Sequence, residues 1–108
     1  MRKPKDIFLA PPDGFSIAPV HPGEVLKEEL AERRLTAHAV ALKLRVPANR
    51  LTDIVNGKRG ISPDTALRLS RLLGPSATFW MNLQSQFDLA SAERANGARI
   101  RAEVESAA

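Results

Sequence analysis

The chain has 108 residues and a mass of 11.8 kDa, which fits one domain, and its 44% of hydrophobic residues are enough for a packed core. It has no cysteine and only two histidines, which excludes disulfides, thiol catalysis and the usual structural zinc sites. Its net charge of +4 is unevenly distributed, since residues 33–59 carry a balance of +6 whereas residues 1–32 carry −2 and residues 60–108 are neutral.

An extended arm is predicted at the N-terminus, followed by a first helix. Residues 1–20 contain four prolines, and only the piece at 7–9 has a strand-like pattern. The segment HPGEVLKEELAERR then predicts a helix, because Pro22 suits its first turn and Glu24 suits the positive end of the helix dipole.

Two short helices joined by a tight turn are predicted next. Thr36 is a good N-cap for a second helix with the sequence AHAVALKL. Pro47 breaks that helix and starts the third one, which ends at Asn56-Gly57, a pair suited to a left-handed stop. The buried face of the third helix is predicted to hold Leu51, Ile54 and Val55.

Two further helices complete the expected fold. The sequence Ser-Pro-Asp at 62–64 supplies the N-cap, the first-turn proline and the first-turn acidic residue of a fourth helix, which Gly-Pro at 74–75 ends. Ser76 caps a fifth helix that runs to about residue 95, and the remaining tail is expected to be helical or frayed. The predicted fold class is therefore all-α, with an arm at 1–20, a helical domain at 21–95 and a tail at 96–108.

The second and third helices have the spacing of a helix-turn-helix. A turn of about three residues lets one helix lie across the DNA backbone and places the next in the major groove, which is about 12 Å wide and admits one helix. The inserted helix must be apolar behind and polar in front. Its front carries Asn49, which can bond adenine, Arg50, which can bond guanine, and Thr52, which can bond a base or a phosphate.

Charged residues surround this third helix. Lys58 and Arg59 follow its end and are expected to contact phosphate. The positive window that contains them is typical of a surface that faces nucleic acid, although a solvated basic face is the alternative. Asp53 is an unusual neighbour for DNA, and it is interpreted as an ion-pair partner of Arg50 or Lys58 or as a group that discriminates by repulsion.

Three motifs carry a resemblance to a known family: HPGE before the first helix, NGKRGIS after the third, and FWMNLQ in the fifth. Residues 36–62 resemble the helix-turn-helix of the phage-repressor-like (XRE, Cro/C1) family, and about 17–90 resemble the HigA-type antitoxins of toxin–antitoxin modules. The resemblance implies a five-helix, lambda-repressor-like domain without a cofactor. It also implies a homodimer that binds double-stranded operator DNA, represses its own operon and neutralises a RelE/HigB-like ribonuclease toxin.

The chain departs from this family at two positions. Glycine is common in the turn where this chain has Arg45, and if the position needs a positive φ, arginine costs about 1 kcal/mol relative to glycine. A phosphate contact of its charge would offset part of that cost. Ala37 replaces a glutamine that often bonds phosphate, so no DNA contact is expected there. The predicted DNA-binding residues are Thr36, Arg45, Asn49, Arg50, Thr52, Asn56, Lys58 and Arg59.

Two protein interfaces are expected. The fifth helix carries an apolar cluster that is interpreted as core first and as a tentative dimer interface second: Phe79, Trp80, Leu83 and Phe87. The toxin would dock on the proline-rich arm, which could instead pack on its own domain, or on the acidic first helix, whose charge suits a basic ribonuclease.

Two alternatives to the antitoxin function remain open. A stand-alone XRE-type transcriptional repressor without a toxin partner would use the same residues, and a pure protein-interaction module is a further alternative. An enzyme is not expected, because the histidines are isolated and no glycine-rich phosphate loop occurs. No apolar run reaches the roughly 18 residues of a membrane span and no signal-peptide core is present, so a cytoplasmic protein is expected.

Overall fold

A computed structural model of the chain describes residues 19–107, where all regular structure is helical. The helices are α1 Pro22–Glu32, α2 Ala37–Leu44, α3 Ala48–Val55, α4 Pro63–Leu73 and α5 Ala77–Glu103. The all-α fold and the order of five helices are therefore confirmed, and most of the tail is helical rather than frayed. Residues 1–18 of the predicted arm at 1–20, with its strand-like piece, lie outside the described residues. The chain divides into two compact units, one of Val20–Phe87 and a second that contains the later part of α5.

Four helices begin at a side chain that caps them. The caps of α1, α2, α4 and α5 are His21, Thr36, Ser62 and Ser76. In α2, for example, the Thr36 hydroxyl accepts a hydrogen bond of 3.0 Å from the backbone N–H of Ala39. The predicted start of α3 is one residue early, because Pro47 takes an extended backbone at the N-cap position, with ψ of 145°, and the helix begins at Ala48.

The ends of the first three helices share one type of turn. After α2, the N–H of Val46 donates to the Ala41 carbonyl at 3.1 Å, and Arg45 between them has a φ of 63°. The same six-residue hydrogen-bonded turn follows α1, with Arg34 at a φ of 57°, and α3, with Gly57 at 77°. Because side chains other than glycine are disfavoured at positive φ, arginine is strained at two of these three positions.

The core of the Val20–Phe87 unit is formed by apolar side chains of all five helices and of the loop before α4. Helix α3 packs against α1 and α2, and α2 also packs against α4. The start of α1 lies close to the end of α3, since a β-carbon added to Gly23 would lie 1.8 Å from the Ile54 carbonyl oxygen. The buried cluster consists of Leu26, Leu30, Val40, Ala41, Leu44, Leu51, Ile54, Ile61, Ala66, Leu69, Leu73 and Trp80.

Candidate nucleic-acid interface

Helix α3 presents a polar face to solvent while its back lies in the core. Leu51 and Ile54 are fully buried against α1 and α2. Because residues three, four and seven positions apart share one side of a helix, the opposite side carries a polar set that we call the α3 polar face. The α3 polar face consists of Asn49, Thr52, Asp53 and Asn56. The two asparagines are exposed and the other two side chains are half-buried, so this side of α3 remains accessible.

The Thr52 hydroxyl is already bonded within its own helix. It donates towards the backbone carbonyl of Asn49 at 3.2 Å, and the carbonyl of Ala48 lies at 3.4 Å. Its proton is therefore directed to the backbone in this structure, and its oxygen is the atom left to accept a bond from outside.

Arg50 lies at the edge of the α3 polar face, next to α4. Its Nη1 is 3.8 Å from an oxygen of the Asp64 carboxylate. Within the described residues no ion pair joins Asp53 to Arg50 or Lys58, so neither predicted partner is correct. The stronger partner of Asp64 is Arg68, whose Nε donates at 2.8 Å and whose Nη1 donates to the Leu44 carbonyl at 2.8 Å. A long ion pair at the surface contributes little, and Arg50 is therefore held loosely beside the α3 polar face.

The two ends of α2 supply further polar groups. Thr36 uses its oxygen as a cap acceptor, which leaves the hydroxyl proton available for donation. Arg45 is exposed at the turn between α2 and α3. It also lines a shallow groove between α2 and α4 together with the cations Lys43, Arg68 and Arg71.

The loop after α3 is held in place by a residue that the sequence analysis did not identify. The backbone N–H of Ile61 donates to Oε1 of Gln84 at 2.7 Å, and a β-carbon on Gly60 would lie 2.9 Å from the same amide group. Lys58 and Arg59 stand on this loop, and both are exposed. Gln84 therefore ties the NGKRGIS segment to the FWMNLQ segment, and nothing in either segment alone indicates this bond.

The apolar cluster of α5 divides into a buried and an accessible part. Trp80 is fully buried within the Val20–Phe87 unit, which agrees with the core interpretation and removes this side chain from a dimer surface. Phe79 is 40% exposed, and Leu83 and Phe87 are half-buried. The Phe87 ring meets the ring of His21 edge-on, with centroids 4.8 Å apart.

Residues 19–107 contain neither a membrane span nor a metal-binding cluster. No helix in this part of the chain is long and apolar enough to cross a bilayer. The same residues contain no cluster of three or more histidine, aspartate or glutamate side chains placed to hold a metal ion.

Known proteins similar to this chain include virulence-associated proteins, transcriptional regulators and antitoxins. The sequence profile of the helix-turn-helix family matches residues 26–80. Virulence-associated protein I of Dichelobacter nodosus is 49% identical over 76 residues, which cover 69% of this chain and 70% of that protein. Antitoxin HigA-1 of Vibrio cholerae is 36% identical over 72 residues, covering 66% of this chain and 68% of its own length.

Solved structures share the fold as well as the sequence. The Pseudomonas aeruginosa antitoxin HigA, determined with the higBA promoter, superposes with a TM-score of 0.81 at 48% identity. The match covers 83% of this chain and 99% of that one. The chain therefore belongs to the helix-turn-helix family of the XRE type, in the group that contains the HigA antitoxins.

Proposed function

We propose that the chain binds double-stranded operator DNA as a homodimer and represses its own operon, acting in the cytoplasm. The observation that carries this proposal is the division of α3 into a buried apolar back and an accessible polar face. A helix that enters the major groove needs this division, because the groove admits one helix and offers hydrogen-bonding base edges. The HigA structure with its promoter, at 48% identity, supports the same use of the fold.

The proposed contacts fall into two sets. Base edges would be bonded by α3 and phosphates by its surroundings, since phosphate contacts fix position and base contacts supply sequence preference. The base set is Asn49, Arg50, Thr52 and Asn56. The phosphate set is Thr36, Arg45, Lys58 and Arg59.

A homodimer would present two α3 helices to one face of the DNA. Its half-sites would lie about one helical turn, roughly 34 Å, apart, and the operator would be close to palindromic. The accessible part of the α5 cluster, around Phe79, is proposed as part of the dimer surface, because an exposed aromatic side chain gains from burial.

The separate roles of the base set and the phosphate set can be tested with two variants, each measured on promoter DNA and on a scrambled duplex. Arg50→Ala is expected to reduce the preference for the promoter by about 5- to 100-fold, which corresponds to roughly 1–3 kcal/mol. Lys58→Ala is expected to weaken binding to both duplexes and to lower the slope of log affinity against log salt by about one. Arg94→Ala, which removes an exposed cation from α5, is the matched control. If Arg50→Ala lost the same affinity on both duplexes, the assignment of Arg50 as a base contact would be contradicted. A wild-type chain that does not retard the promoter fragment would contradict DNA binding itself.

We further propose that the chain neutralises a RelE/HigB-like ribonuclease toxin. Support comes from its membership of the antitoxin group and from the acidic surface of α1, where Glu24, Glu28 and Glu32 are exposed. Neutralisation can be tested by co-expressing the chain with the product of the adjacent gene, and by comparing the full chain with one that lacks residues 1–16. Relief of growth arrest and a purified complex support the proposal. Promoter binding without either result would identify a stand-alone repressor.

A further inference from the structure

Asp53 belongs to the α3 polar face and lies at the edge of it that is nearer to Arg50. It lies four residues after Asn49 and three before Asn56, so the three side chains follow one line along the outside of the helix. Arg50 lies about 60° round the helix from Asp53, on the side away from Asn49 and Asn56, and its guanidinium is 3.8 Å from the Asp64 carboxylate. If α3 lies in the major groove, the Asp53 carboxylate therefore faces the base edges.

The charge of Asp53 has no partner within the described chain. Arg50, its nearest cation in sequence, contacts Asp64 instead. The residue's only bond to Lys58 is through the backbone, where the N–H of Lys58 donates to the Asp53 carbonyl at 2.8 Å as part of the turn that ends α3. No hydrogen bond or ion pair among residues 19–107 uses the side-chain oxygens of Asp53.

A carboxylate that enters a groove lined by phosphates is repelled and loses its water. Such a loss is compensated only when the group finds a hydrogen-bond donor. An ionised carboxylate is an acceptor only, and the donors on the floor of the major groove are the N4 amino group of cytosine and the N6 amino group of adenine. Asn49 is suited to adenine, because an amide donates to N7 and accepts from N6 at once, whereas a carboxylate matches cytosine.

We propose that Asp53 accepts a hydrogen bond from the N4 amino group of a cytosine in each operator half-site, and thereby selects a C·G pair there. The proposal rests on the proposed function, since it requires α3 in the major groove. At the same position thymine would present its O4 acceptor and guanine its O6 and N7 acceptors to the carboxylate. Asp53 thus gains one bond with cytosine and meets repulsion with thymine and guanine. Adenine also offers an amino donor at N6, but its neighbouring N7 acceptor repels the carboxylate, so cytosine is the better match.

The proposal can be tested by selecting binding sites from a random double-stranded pool with the wild-type chain and with Asp53→Asn and Asp53→Ala. One base pair in each half-site is expected to be C·G for the wild type. Asp53→Ala should reduce the preference for C·G at that position by about tenfold, while the other positions keep their preferences. Asp53→Asn should shift the preferred base at that position towards adenine. Glu105→Gln, which removes the same charge beyond the end of α5, serves as the control for net charge.

A second arm identifies the atom. The selected cytosine is replaced by 2-pyrimidinone, which keeps the ring and lacks the N4 amino group. The wild-type chain is expected to bind this duplex about tenfold more weakly, whereas Asp53→Ala should bind both duplexes equally. A clear wild-type motif that Asp53→Ala leaves unchanged would overturn the assignment of Asp53 while the proposed function stands. A wild-type chain that selects no motif would overturn the proposed function and the assignment together.

Discussion

Replacing Arg45 by glycine is expected to stabilise the fold and to weaken DNA binding at the same time. Arg45 closes α2 with φ of 63° and ψ of 43°, a left-handed conformation. Its N–H donates to the Leu42 carbonyl at 3.2 Å and the next N–H donates to the Ala41 carbonyl at 3.1 Å. The turn therefore depends on this backbone conformation and not on the arginine side chain, which is exposed.

The size of the stability change follows from two opposing effects at this position. A β-carbon in the left-handed region costs about 1–2 kcal/mol, which glycine avoids. Glycine also gives the unfolded chain more freedom, which offsets about 0.5–1 kcal/mol of that gain. Arg45→Gly should therefore raise the free energy of unfolding by about 0.5–1 kcal/mol, and the melting temperature by about 2–8 °C.

Urea unfolding followed by circular dichroism measures this change, and two further variants isolate its cause. Arg45→Ala removes the same charge but keeps the β-carbon, so it should lack the gain in stability. Arg34→Gly is the matched control, because Arg34 has a φ of 57° in the equivalent turn after α1. It should gain a similar amount of stability. Equal unfolding free energies for Arg45→Gly and Arg45→Ala would refute the argument from left-handed strain.

The DNA-binding half of the prediction separates the two arginines. Arg45→Gly and Arg45→Ala should both lower the salt slope of operator binding by about one, because each loses one phosphate contact. Arg45→Lys should retain the slope, since it keeps the charge. Arg34→Gly should leave the slope unchanged. An unaltered salt slope in Arg45→Gly would show that the charge of Arg45 does not contact a phosphate in the wild-type complex.

Three further changes test how the fold supports the α3 polar face. Arg68→Gln should destabilise the domain by about 1 kcal/mol in urea unfolding, because it loses its 2.8 Å bond to the carbonyl at the end of α2, whereas Arg71→Gln on the same helix should not. Gly23→Ala should lower the melting temperature sharply or prevent folding, since its β-carbon would overlap the Ile54 carbonyl at 1.8 Å. Gln84→Ala should weaken binding to promoter and scrambled DNA alike, because it frees the loop that carries the two cations proposed to contact phosphate. Anisotropy titrations on both duplexes would detect this.

Features that depend on near neighbours in the sequence were predictable. A cap requires only a suitable side chain and the N–H two or three residues later, so Thr36, Ser62 and Ser76 were identified from the sequence. The stop at Gly57 follows from the same kind of local rule, and it takes the left-handed conformation with φ of 77°. The sequence also predicted the division of α3 into two faces, because its apolar residues recur at the helical period.

Contacts between distant residues were not predictable in this way. The expected acidic neighbour of Arg50 was Asp53 on the same helix, but the carboxylate that lies beside Arg50 belongs to Asp64 on the next helix. The bond from Ile61 to Gln84 joins residues 23 positions apart, and neither residue type indicates such a pairing. Polar contacts of this kind arise from how helices pack, and helical periodicity specifies which face packs but not which side chains then meet.

The charge of the 33–59 window illustrates the consequence of that limit. The window contains seven cations, and counting them treats all seven as available to DNA. Arg33, however, donates to the carbonyl of Leu73 at 2.8 Å and pairs with Glu29 at 3.2 Å, so it joins the end of α1 to the end of α4. Its charge is committed to the fold, and Arg50 is partly balanced by a carboxylate of α4. Sequence charge thus indicates where the cationic surface lies, whereas the contacts decide which of its cations can leave a protein partner for a phosphate. A salt dependence of DNA binding estimated from the sequence count alone would therefore be too steep.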